Sequence, residues 1–441
     1  MTFRKQSIVT LGLFSALALG LFAAPGWADL EQYIQKPEAE FAWKLREKIE
    51  SEQTGDRIYD LHFVSQTWQA NAWQHQLQIY QPRNVAPNST MFLWVTGGSA
   101  RPTYISLGLE LARKINAPVA ILYHIPNQPL LDGKLSEDDL IAETFVRYLK
   151  TKDENWPLLL PMVKSVVKAM DVLQAFGKGE WGEPIDGFIV SGASKRGWTT
   201  WLAAAIDPRV RAIAPVVIDT LNMRAQMPRQ LKAFGAYSAP LAPYTSRGLV
   251  PIPETPEGQR LLSMVDPWEY RDKLALPKLI VNGSNDFYWA TDALNLYWKE
   301  LAGNKWVVYV PNAGHDLRRQ DKPKSDQLTD FVNGLAAFVR HQIGRRSMPN
   351  LTWKHETVNG RLRLTIDASP APKGARLWVA QTETQDFRRA NWTEQAVTFS
   401  NGAIIGEVTP PEKGYLAFYG ELDYEIDGLK YHLSTQMRMT E

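Results

Sequence analysis

Residues 187–197 read Gly187-Phe188-Ile189-Val190-Ser191-Gly192-Ala193-Ser194-Lys195-Arg196-Gly197, followed by Trp198-Thr199-Thr200-Trp201-Leu202-Ala203-Ala204-Ala205. Phe188, Ile189 and Val190 form an uncharged β-branched and aromatic run, the mark of a buried strand. Ser191, Gly192 and Ala193 are all small, and a helical pattern begins near Gly197. A chain that turns from strand to helix on a serine needs such neighbours, because the turn is too tight for bulky side chains. Ser194 would stand at the apex, held away from the sheet, with N–H groups of the helix start where an oxyanion would form. The usual pattern for this elbow is G-x-S-x-G; here Arg196 takes the second glycine position and Gly197 stands one residue later. The plainer alternative is an ordinary strand–turn–helix whose serine only caps the helix.

A serine nucleophile needs a base, and the base an orienting acid. The chain has seven histidines, so the choice is short. His315 follows the strand-like run 306–310 in Pro311-Asn312-Ala313-Gly314-His315, late in the chain, as the Ser…Asp…His order of an α/β-hydrolase requires. His124 also stands at a strand end, whereas His62 and His75 fall in an opening hairpin, His341 in a closing helix, and His355 and His432 near the C-terminus. Asp286, in the turn after the run 278–281, is at the expected place for the acid. Asp219, after the run 212–218, and Asp292, at a helix start, are the alternatives, and each could be a structural cap instead.

Gly97 and Gly98 follow the apolar run 91–95, where hydrolases of this fold form the other half of the oxyanion hole; a tight turn is the alternative. Lys195 and Arg196 pose a physical question. Cations at a helix N-terminus oppose the macrodipole by roughly 0.3–1 kcal/mol each. Neighbouring carboxylates or a negative ligand must compensate, and the expectation is that one of the two cations assists the oxyanion or holds a substrate carboxylate. The acidic cluster Glu137-Asp138-Asp139 reads as the first turn of a helix, with metal ligation as the alternative. The chemistry calls for no metal and no cofactor.

Around this centre, residues 31–52 read as an exposed helix, and residues 57–66 and 72–81 alternate as a pair of antiparallel strands. Residues 118–123 read as a further buried strand and residues 135–176 as helical. From 222 to 270 the strand–helix alternation fails, interrupted by Pro228, Pro240, Pro243, Pro251, Pro253 and Pro256, as in an insertion that caps a site and selects its substrate. Beyond 350 only short alternating runs and Asn-Gly turns recur. The expected architecture is therefore α/β: an α/β-hydrolase domain over 29–347 with a cap at about 222–270, then a small β-sandwich over 348–441.

Residues 1–28 read as a secretory signal peptide: Arg4 and Lys5, an uncharged run over 8–24, and a small-residue close with cleavage after Ala28. An uncleaved anchor is the alternative, against which the run is short. A chain without cysteine forms no disulfide, which suits a secreted or periplasmic bacterial protein standing on its core alone. The net charge of +2 gives no support for nucleic acid or any other polyanion as partner. With 16 Trp the chain has either a sugar-stacking surface or, more simply, an aromatic-rich core. The partner expected is a small-molecule, peptide or polysaccharide ester, with no stable membrane span once the signal is cleaved. Nothing in the sequence speaks to oligomeric state.

Five stretches together, Gly192-Ala193-Ser194-Lys195-Arg196-Gly197-Trp198, Asp207-Pro208-Arg209-Val210, Pro126-Asn127-Gln128-Pro129, Asn282-Gly283-Ser284-Asn285-Asp286 and Pro311–His315, resemble the PhoPQ-activated pathogenicity-related protein (PqaA-like) family. The resemblance runs from about residue 30 to the C-terminus. It implies an exported bacterial α/β-hydrolase-fold protein, linked by its family name to virulence and cationic-peptide resistance. Ser194 takes the nucleophile position, with Asp286 and His315 as partners. The family has no settled substrate, so the resemblance implies a serine hydrolase acting on an ester or amide, or a silent hydrolase fold kept for binding or signalling. A more distant likeness is to glucuronoyl esterases, whose elbow carries an arginine straight after the serine; here that position is Lys195.

Overall fold

The computed structural model describes residues 28–440. The signal peptide expected over 1–28 lies outside the described residues except for Ala28.

A parallel sheet organises the chain. Its strands are β4 (Thr90–Val95), β5 (Val119–Leu122), β6 (Gly187–Ala193), β7 (Val210–Val216), β8 (Lys278–Gly283) and β9 (Lys305–Val310), in the spatial order β5-β4-β6-β7-β8-β9. β5, β6 and β8 are buried almost throughout, because helices cover both faces of the sheet, and so they read as continuous apolar runs. The crossing of β4 and β5, with antiparallel strands β2 (Arg57–Trp68) and β3 (Asn71–Gln81) beyond β5, is the strand order of an α/β-hydrolase. Helices α2 (Pro102–Ile115) and α9 (Thr329–Ile343) pack one face. The other carries α3 (Glu137–Thr151), α4 (Leu159–Phe176) and α5 (Lys195–Ile206). Every parallel strand delivers its C-terminal end to one rim, the place where open α/β sheets bind ligands.

The N-terminal expectation of a helix over 31–52 is corrected. A helix, α1, spans only Ala28–Gln35. Pro37 disfavours helix at the residue before it, and Ala42–Glu50 is instead a strand, β1, paired antiparallel to β2 from Ala42↔Val64 to Glu50↔Arg57. Trp43, Leu45 and Ile49 alternate with Lys44, Arg46 and Lys48; those cations on an outermost strand discourage pairing with a further chain.

Between β7 and β8 the chain forms helices α6 (Met223–Phe234), α7 (Ala242–Thr245) and α8 (Pro256–Val265) with short 3₁₀ turns. After α9 all strands are antiparallel. β10 (Asn350–Val358), β11 (Arg361–Ser369), β14 (Thr398–Ser400) and β15 (Ala403–Val408) make a four-stranded sheet. β12 (Gly374–Thr382), β13 (Thr393–Ala396), β16 (Tyr415–Ile426), β17 (Leu429–Ser434) and β18 (Arg438–Met439) extend the large sheet, since β17 meets β9 at Ser434↔Val307. The two sheets close over Leu364, Ile366, Leu377, Ile404 and Phe418. Gly406 and Gly420 let the layers approach, since a Cβ there would come within 2.5 Å of Leu377 and 2.6 Å of Ile366. No helix among the described residues is long and apolar enough to cross a membrane.

Candidate active site

Ser194 sits between β6 and α5 with φ 58° and ψ −126°, a conformation L-residues rarely adopt. Two backbone bonds pin it: Ser194 N–H donates to Val216 O at 2.9 Å, and Trp198 N–H to Ser194 O at 3.0 Å. The departure from G-x-S-x-G has a steric explanation. A Cβ on Gly192 would meet Arg196 at 2.8 Å, and one on Gly197 would meet Ile218 at 2.6 Å. Gly197, three residues after the serine, is thus a point where the new helix passes close to the end of β7.

The Nδ1 of His315, in the loop after β9, lies 2.8 Å from Oδ2 of Asp286, in the turn after β8. At that distance the imidazole N–H donates to a buried carboxylate. The other oxygen of Asp286 accepts from the Tyr288 N–H at 2.8 Å. His315 Nε2 is buried and bonded to nothing among the described residues; no hydrogen bond joins it to Ser194. Both residues line the same cavity, of about 330 Å3.

The two alternative acids lie elsewhere. Asp219 is buried, accepting from Asn282 Nδ2 at 2.8 Å and from the Tyr297 hydroxyl. Burial pushes its carboxyl up to about 6, more than these donors pull it down, and the Asp286 charge adds to the rise. Asp292 is paired with Arg229 of α6 at 2.9 Å, and Arg229 also reaches Gln385 of the C-terminal region at 2.8 Å. Neither faces His315.

Carboxylates supply the expected compensation at the helix start. Lys195 Nζ lies 3.0 Å from Glu137 and 3.0 Å from Asp138. Arg196 grips Glu137 with two bonds of 2.8 and 2.6 Å, and its Nε–H donates to Ile125 O at 2.6 Å. Burial alone would raise the Glu137 carboxyl, but Arg196 and Lys195 outweigh it and hold the group down at about 2. The guanidinium of Arg196 covers Gly97: a Cβ there would lie 1.6 Å from Nη2. Gly98 O accepts from the His124 N–H at 3.1 Å. The glycine pair therefore makes a close approach to Arg196, and neither glycine is among the residues lining the cavity.

Three further residues complete the site. Asp138 accepts from the hydroxyls of Tyr244 at 3.0 Å and Tyr288 at 3.2 Å, and the Tyr288 ring stacks on His315 with centroids 4.3 Å apart. Burial, and then the Asp138 charge, keep both phenols protonated, so they remain donors. In the sequence, two cations at a helix start call for compensating carboxylates, but nothing there singled out Asp138, Tyr244 or Tyr288. Among the described residues, no group of three or more His, Asp or Glu is placed to hold a metal ion.

A sequence profile described as PhoPQ-activated pathogenicity-related protein matches residues 30–388. The chain belongs to that family. It is 33% identical over 451 residues to the autocrine proliferation repressor protein A of Dictyostelium discoideum, covering 93% of this chain and 88% of that one. Solved structures similar to it include an acetyl xylan esterase from Paenibacillus sp. R4, with a TM-score of 0.47, 15% identity and 66% and 87% of the two chains covered. A glucuronoyl esterase from Solibacter usitatus is another, with a TM-score of 0.43, 11% identity and 70% and 87% covered.

Proposed function

We propose that the protein is an exported serine hydrolase that cleaves an ester or amide through Ser194, His315 and Asp286. What supports this most is the pairing of His315 Nδ1 with Asp286 at 2.8 Å, while Nε2 stays buried without a partner on the cavity that Ser194 lines. The bond from Ser194 Oγ to the carbonyl carbon forms as the hydroxyl proton passes to Nε2. The leaving alcohol or amine then takes that proton as its bond to carbon breaks, and water repeats the sequence to release the acid. Asp286 holds the imidazole in one tautomer and stabilises its cationic form.

Backbone N–H groups at the start of α5, that of Lys195 first, would stabilise the oxyanion. Arg196 is assigned to Glu137 rather than to substrate, and Lys195 to the carboxylate pair. Export rests on the residue 1–28 pattern, and the C-terminal unit over 348–441 would stiffen the rim that carries Asp286 and His315.

A second reading is favoured by the relative's name, an autocrine repressor: a hydrolase fold that binds or signals without turnover. Labelling of the mature protein with a fluorophosphonate probe separates the two. Labelling that is lost in both Ser194→Ala and His315→Ala supports the hydrolase. A folded wild type that neither labels nor cleaves any ester favours the binding protein.

A further inference from the structure

The cavity next to Ser194 has a wall unlike its floor. Its floor holds Ser194, Lys195, Asp138 and His315, while the wall built by the insertion is mostly methyl and methylene, Met223, Met227, Leu241, Leu249, Ile252 and Leu262, interrupted by Tyr237, Tyr244 and Gln259. Trp198 and Phe145 close the inner side from the hydrolase body. The charged groups on the floor are already engaged, Lys195 with Asp138 and Glu137, and Asp138 with two tyrosine hydroxyls. Exposed Arg224 and Glu254, together with Pro251, mark the mouth. A sugar or peptide moiety placed within would lose water against carbon on most sides, at a cost of roughly 1–3 kcal/mol for each unmatched polar group. A hydrocarbon chain would gain on the same contacts.

Resting on the hydrolase reading above, we propose that the site takes esters whose acyl half is an unbranched apolar chain of about six to ten carbons. The size follows from the volume. The cavity, about 330 Å3, is far larger than an acetyl group needs and has room for a chain of several methylenes. The acyl half is assigned to the cavity because it is the part that stays bonded to Ser194 Oγ after the alcohol has left. It must be held in place while water attacks. The alcohol half departs through the mouth between Arg224 and Glu254, where polar groups are tolerated.

Two measurements test the assignment without depending on each other. Ser194→Ala, which cannot turn over, is titrated calorimetrically with acetate, hexanoate, octanoate and decanoate. Affinity should rise about three- to four-fold per added methylene and level off near ten carbons, with no detectable acetate binding. In the wild type, kcat/KM for p-nitrophenyl esters should peak between hexanoyl and decanoyl. Lengthening the alcohol of an acetate ester should bring no gain. Met227→Trp, which fills the wall, should shift the optimum several carbons shorter and cut decanoyl turnover at least ten-fold, while Leu262→Ala should shift it longer. Chain-independent binding to Ser194→Ala, or a preference for acetyl, overturns the proposal. Length-dependent binding with no turnover by the wild type overturns the hydrolase reading and leaves the apolar-chain site standing.

Discussion

Tyr288 stacks on the His315 ring at 4.3 Å while its hydroxyl donates to Asp138 at 3.2 Å and its backbone N–H to Asp286 at 2.8 Å. One residue thus touches the proposed base, the carboxylate paired with it, and the carboxylate that neutralises Lys195. The imidazole is held on its Nδ1 edge by Asp286 and on its face by Tyr288, and neither engages Nε2.

If this stacking positions the base, Tyr288→Phe keeps the ring and loses only the tether. Its kcat should fall several-fold with KM nearly unchanged. Tyr288→Ala also removes the ring, and kcat should fall roughly a hundred-fold, the scale on which misplacement of a catalytic group is felt. Steady-state kinetics on both variants give the answer. A loss confined to KM in Tyr288→Ala would make the tyrosine a substrate contact instead.

The backbone at Ser194 gives a prediction of opposite sign for function and stability. A side chain at φ 58° and ψ −126° costs of order 1–3 kcal/mol, and glycine avoids most of it. Ser194→Gly should therefore be more stable than Ser194→Ala by about 1 kcal/mol after the extra chain entropy of glycine is counted, while both are inactive. Urea unfolding of the two variants measures the difference. Equal stabilities would mean the elbow is unstrained.

The elbow was legible because its causes are local: small residues, a strand of Phe188–Ile189–Val190 and a helix beginning at once. His315 and Asp286 were legible because chain order and strand ends restrict them. The pairing of Glu137 and Asp138 with Lys195 and Arg196 was not, since topology brings together residues some 59 positions apart. Nor was the strand at Ala42–Glu50, whose alternation of Trp43, Leu45 and Ile49 is masked by a run of charges that suits an exposed helix equally well. The meeting of β17 with β9 left no trace in either strand, because backbone hydrogen bonds carry no side-chain signature.

Gly97 and Arg196 make a pair that mutation can separate. A methyl group at 97 cannot coexist with the guanidinium at 1.6 Å, so Gly97→Ala must push Arg196 off Glu137. The expected loss is about 3 kcal/mol, from overpacking and from a buried cation left without its partner. In an Arg196→Ala background the same methyl group has room, and its added cost should fall below about 1 kcal/mol. A double-mutant cycle by chemical denaturation tests this. Additive costs would place the constraint on Gly97 in the backbone rather than in the arginine.

Asp219 sets the pH dependence that can be assigned to one group. Burial raises its folded-state value to about 6, against roughly 3.9 for an unfolded aspartate. The native state holds this proton more tightly. Its stabilising effect is complete below about pH 4 and is lost as the pH rises through 6, a swing of about 3 kcal/mol. Asp219→Asn keeps an acceptor for the Tyr297 hydroxyl and cannot ionise. Unfolding free energies of the wild type and Asp219→Asn, measured at pH 4.5, 6 and 7.5, should diverge with rising pH, the variant losing less by about 2–3 kcal/mol at the top. Asp266, buried and raised to about 7, acts in the same direction in both proteins and cancels from the difference. Parallel pH profiles would mean that Asp219 is already ionised at pH 4.5. The hydrogen bonds from Asn282 and the Tyr297 hydroxyl would then outweigh burial at this carboxylate.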